Sequence, residues 1–115
     1  MSEHIVLYVR FRVREGRLDD FRNHLYKTIE AMKGEPAHVN TIVHVSLDRP
    51  NEVMLYEIWH GTRESWMREE FPRDYRKPYE AGLDQLIEER VVEWLIPHKE
   101  WGSSLLSRPR GAPHE

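Results

Sequence analysis

The chain has 115 residues, 39% of them hydrophobic and 32% charged, with a formal net charge of -3 and no cysteine. One domain of ordinary size accounts for that length. Disulfides, thiolate metal sites, iron–sulfur clusters and thiol nucleophiles are excluded outright, and basic residues scattered among acidic ones leave no stripe for a nucleic-acid backbone.

Ile5, Leu7, Val9, Phe11 and Val13 alternate with more polar neighbours, the period of a half-buried strand. Gly16 then turns the chain, and Leu18, Phe21, Leu25, Thr28 or Ile29, and Met32 recur at helical spacing, with Asp19 and Asp20 near the positive end of the helix dipole. Lys33-Gly34 is expected to end that helix through a left-handed glycine. A second strand follows, in which Val39, Thr41, Val43 and Val45 alternate with His38, Asn40, Ile42 and His44.

Asp48-Arg49-Pro50-Asn51 has the chemistry of a tight connection, so strands two and three form an antiparallel hairpin, the third running from about Glu52 to Trp59. The next region reads as a short helix from about Arg63 to Glu70, breaks at Pro72 and Pro78, and a second helical piece carrying Tyr79, Leu83 and Leu86. Its charge run, Arg63 to Arg76, reads as a solvated face. Strand four spans about Glu89 to Ile96. From residue 99 the composition turns to Gly, Ser and Pro, so residues 1–98 form the domain and 99–115 a tail, disordered or packed on a partner subunit.

The order β-α-β-β-α-β implies an α+β, ferredoxin-like sandwich: a four-stranded antiparallel sheet with its helices on one face. The other face, with Val6, Tyr8, Ile42, Tyr56 or Leu55, and Trp94 or Val92 as candidates, then needs a cover, and a homodimer supplies it. No apolar run approaches the roughly 18 residues of a membrane span and no leader pattern opens the chain, so a cytoplasmic location is expected.

Several short motifs resemble the antibiotic biosynthesis monooxygenase-like group of small dimeric α+β-barrel proteins, which includes quinol monooxygenases and haem-degrading relatives. They are Glu15-Gly16 before Asp20-Phe21, Glu35-Pro36, Leu47-Asp48-Arg49-Pro50 and above all Leu55-Tyr56-Glu57-Ile58-Trp59, within about residues 4–98. The helix after that last strand carries Met67-Arg68-Glu69-Glu70 where members of the group usually place a histidine, so the axial ligand that a haem-degrading activity would need is missing. The resemblance therefore implies a cofactor-independent monooxygenase acting on a quinol or anthrone-like ring; a non-catalytic, small-ligand-binding or stress-associated dimer is the alternative.

By parity, His38, Asn40 and His44 share one face of strand two, where imidazoles could serve as base and the amide as donor to a ring oxygen. Trp59 and Trp66 suit the walls of an aromatic pocket, with Tyr56 a further donor and Tyr75 and Tyr79 on the proline-bent wall. Each also has an ordinary packing role open to it. His38 and His44 lie six residues apart, too far along a strand to hold one metal ion, so no metal is expected. The six glycines form neither a dinucleotide fingerprint nor a phosphate loop, so no nucleotide cofactor is expected.

Overall fold

A computed structural model describes residues 3–112. The elements are β1 (His4–Val13), α1 (Leu18–Met32), β2 (His38–Val45), β3 (Glu52–His60), α2 (Arg63–Glu69), α3 (Arg76–Leu83) and β4 (Ile87–Leu95), followed by a 3-10 turn at Leu105–Ser107. All strand pairs are antiparallel, in the order β2-β3-β1-β4. This is the ferredoxin-like arrangement that element order implied.

The alternation of β1 sorts the two faces. Ile5, Leu7, Val9, Phe11 and Val13 meet Phe21, Leu25 and Met32 of α1, Trp66 of α2, and Tyr79 and Leu83 of α3 in one continuous core. Gly82 lets α3 approach α1, since a Cβ there would lie 2.9 Å from Cε1 of His24. Val6, Val39 and Ile58 form a second, smaller cluster on the opposite face.

Several local expectations are corrected. Gly34 is not among the positive-φ glycines; α1 ends instead on bonds from Lys33 N to Ile29 O and Glu35 N to Met32 O (3.0 and 2.9 Å). The chain breaks around Pro72, but Pro78 sits within the first turn of α3, where its missing N–H would have no helical acceptor. Leu86 lies past that helix. Trp94 and Val92 pair in register with Leu7 and Val9, which puts them on the helix side, as it does Leu55 opposite Val9. Glu93, Val91 and Leu95 take the open face.

Gly61 links β3 to α2 with φ of 109°, a conformation that favours glycine. Thr62 and Ser65 then close a reciprocal capping box, which fixes the start of α2 at the end of the sheet. The tail crosses its own sheet: Leu105 and Leu106 pack on Val6, Val39 and Ile58. Glu100 accepts bonds from the Leu105 and Leu106 amides (2.7 and 3.0 Å), and Gly111 N donates to Pro36 O at 2.8 Å.

Candidate active site beneath the helices

Between the sheet and α2–α3 lies a cavity of about 260 Å³, walled by Leu7, Val9, Leu55, Trp66, Phe71 and Trp94, with Glu57, Arg76 and Tyr79 as its principal polar groups. Strand alternation places Glu57 there. It stands between Leu7 of β1 and Thr41 of β2, on the same face as Trp59, and is only 3% exposed.

Burial pushes the Glu57 carboxyl above the usual carboxylate range, because its charged form loses water. The Trp59 indole N–H, donating to Oε1 at 2.8 Å, and the nearby Arg76 guanidinium act against that shift, and Glu70 adds to it. The Tyr79 hydroxyl is pushed up by burial first and then by the charge of Glu57, so it stays a proton donor.

Arg76 is 6% exposed, and its Nε donates to Glu70 Oε2 at 2.7 Å. Its guanidinium lies 4.7 Å from the Trp66 ring centre and 5.9 Å from that of Trp59. Glu70, 5% exposed, also accepts from the Tyr75 hydroxyl and faces Arg73 Nε at 3.9 Å. Burial and then the bond to Glu70 raise the Tyr75 hydroxyl. Two members of the charge run read as solvated are thus interior, Arg76 in the cavity wall and Glu70 behind it.

Trp66 is the hub of the aromatic wall, in edge contact with Trp59 (6.1 Å, 83°) and Trp94 (5.3 Å, 69°). On its far side a polar chamber of about 190 Å³ is lined by Trp59, His60, Trp66, Glu70, Arg73 and Arg110.

The residues singled out in the sequence divide accordingly. Trp66 and Tyr79 line the cavity; Trp59 stands behind it and holds Glu57, and Tyr75 acts on it through Glu70. A β-bulge defeats the strand-two parity argument: His38 pairs with Trp59, but Asn40 pairs with Ile58, so one extra residue reverses the faces between them. His38 therefore lies on the helix side, its ring edge-on to Trp59 at 4.9 Å and its Nε2 2.7 Å from Thr41 Oγ1. Asn40, His44 and Tyr56 share the opposite face, with His44 exposed across from Met54. They cannot reach a group bound beneath the helices.

Glu57, Arg76, Glu70 and Trp94 escaped the sequence reading as site residues. For Glu57 a signal existed, since a carboxylate with the parity of Leu55 and Trp59 points to the core; for the Glu70–Arg76 pair there was none. Among the described residues no group of three or more His, Asp or Glu is placed to hold a metal ion.

A four-stranded antiparallel sheet with an aromatic cavity under its helices defines an α+β, ferredoxin-like fold. The profile of the antibiotic biosynthesis monooxygenase family matches residues 4–68, more than half of the chain, and the protein belongs to that family. Among solved structures it is similar to PA3566 from Pseudomonas aeruginosa (TM-score 0.77, 12% identity, 86% of this chain and 98% of that one). Rv0793 from Mycobacterium tuberculosis gives a TM-score of 0.75 at 21% identity over 84% of this chain and 97% of its own. SnoaB, a cofactor-independent oxygenase from Streptomyces nogalater, gives 0.74 at 15% identity, over 88% and 99% respectively. At these identities the likeness is one of fold. No curated protein matches the sequence.

Proposed function

We propose that the protein is a cofactor-independent monooxygenase of a small quinol, with Glu57 as the base. The observation that carries this reading is a buried carboxylate of raised pKa set in the wall of an aromatic cavity. A cavity of about 260 Å³ is smaller than the ~300 Å³ at which pockets for drug-sized molecules begin. One or two fused rings suit it better than the three of an anthrone.

In this mechanism Glu57 takes the hydroxyl proton and the quinolate passes one electron to dioxygen. The ring radical and superoxide then join at a ring carbon as a peroxide anion, which takes back the proton from Glu57 to become a hydroperoxide. Loss of water from it leaves a hydroxyquinone and a free Glu57 carboxylate, so quinol and dioxygen balance hydroxyquinone and water. Tyr79 donates to the second ring oxygen, and the guanidinium of Arg76 stabilises the anion through space. Trp66, Trp94 and Phe71 wall the ring and exclude water.

The same reading seats a second copy on the part of the open sheet face that the tail leaves uncovered, around Tyr8, Ile42 and Met54, which are half-buried or exposed in the single chain. The family membership and the incomplete cover support it.

The test is oxygen uptake by the purified protein with a series of hydroquinones and naphthoquinols, with the hydroxyquinone identified by mass spectrometry. Uptake above autoxidation that Glu57→Gln abolishes is expected. A folded protein that raises uptake with none of them overturns the reading.

A further inference from the structure

We propose that a large cleft at the end of the sheet is a second compartment of the site, one that holds an aliphatic chain borne by the ring bound beneath the helices. The proposal rests on the quinol reading above and extends it to the class of substrate, an alkyl- or prenyl-substituted quinol.

The cleft measures about 750 Å³ and shares one residue, Trp94, with the ring cavity. Ile5, Ile96, Pro97 and Leu106 supply its apolar surface, and its rim is polar and charged, with Glu3, His4, Thr62, Arg63, Glu64 and His98. Ile96 is 81% exposed, so packing within the chain does not account for an isoleucine there. Trp94 belongs to β4, an edge strand, so its backbone is paired with β1 alone. Its ring is half-buried and meets Trp66 edge-on at 5.3 Å. Trp94 is the one side chain common to both linings, so the chain of the substrate would pass beside it, with its ring turned aside.

Volume and polarity choose the occupant. The ring cavity has no room for a substituent beyond one or two rings, so a chain on the substrate must leave it. At the cavity's other side Arg90 and Glu80 are paired at 3.0 Å, and an aliphatic group there would strip water from an ion pair. The Trp94 side leads onto apolar surface instead. Each methylene removed from water there should raise affinity about four-fold.

The experiment uses the full chain with a methyl-naphthoquinol and homologues bearing ethyl to pentyl chains at a position that leaves the reacting carbon free. Redox-inert naphthol analogues with the same chains are titrated in parallel by calorimetry. Affinity is expected to climb about four-fold per methylene over the first few, with KM falling and kcat steady, and Ile96→Asp should flatten that climb. Because Ile96 is exposed, the variant should fold.

Affinity that ignores chain length, while the methyl compound is still oxidised, overturns the compartment and spares the quinol reading. Analogue affinity that climbs with chain length, without oxygen uptake from any quinol, upholds the compartment and sinks the oxidation. If Ile96→Asp alters the sedimentation of the ligand-free protein and the chain-length response is flat in both forms, the cleft seats a second copy and the proposal fails.

Discussion

Replacing Arg76 by Met removes a guanidinium that lies 2.7 Å from Glu70, with both side chains more than nine-tenths buried. Glu70 is then left in the interior with the Tyr75 hydroxyl and, at 3.9 Å, Arg73. Breaking a buried pair from one side costs about 3–5 kcal/mol, because the remaining charge stays desolvated without its partner. Domains of this kind have a total stability of roughly 5–15 kcal/mol, so the loss is large. At roughly 4 °C per kcal/mol for a chain of this length, the melting temperature should fall by about 12–20 °C. Removing both charges in Glu70→Leu/Arg76→Met should restore most of it, less about 1 kcal/mol for a Tyr75 hydroxyl left without its acceptor. Urea unfolding of the wild type, the two single variants and the double variant measures the coupling, expected at about 2 kcal/mol or more. A coupling below about 0.5 kcal/mol, or a double variant no more stable than Arg76→Met, refutes the reasoning. Any Arg76→Met protein that folds should also reach full turnover only at higher pH, since the guanidinium favours ionised Glu57.

Wild-type kcat/KM should rise with pH as Glu57 loses its proton, and Glu57→Gln should be inactive across the profile. The raised pKa binds a proton more tightly in the folded state, so this residue's contribution to stability falls as pH climbs from the ordinary carboxylate range through the folded value; the glutamine variant should lack that fall in urea titrations. Gly82→Ala puts a Cβ 2.9 Å from the His24 ring, whose Nε2 bonds Tyr79 O at 2.8 Å, and calorimetry should show a loss of about 1–3 kcal/mol. Partial recovery in His24→Ala/Gly82→Ala would locate the clash. His44→Ala should leave turnover unchanged and stability within about 0.5 kcal/mol, whereas a loss of activity would place the reacting group on the open face.

Element order was legible because alternation along β1 and the helical steps from Leu18 to Met32 are local patterns, set by which side of a strand or helix meets the core. Length, charge and the absence of cysteine removed whole classes of chemistry with no coordinates at all. The Leu55-to-Trp59 run carried the family resemblance, and with it the strand that delivers Glu57.

Facing and burial are another matter, because they are sums over elements distant in the chain. A single extra residue near Val39 turns His38 toward Trp59 and leaves Asn40 and His44 on the other side, and nothing in the local pattern of strand two announces it. Glu70 and Arg76 look like members of an exposed charge run until the bend near Pro72 folds them together under three aromatic rings. A chain written in residue types specifies strands and helices through near-neighbour sterics and periodicity. Only the packed sheet and helices determine which side chains lose their water, and a carboxylate's chemistry depends on that loss.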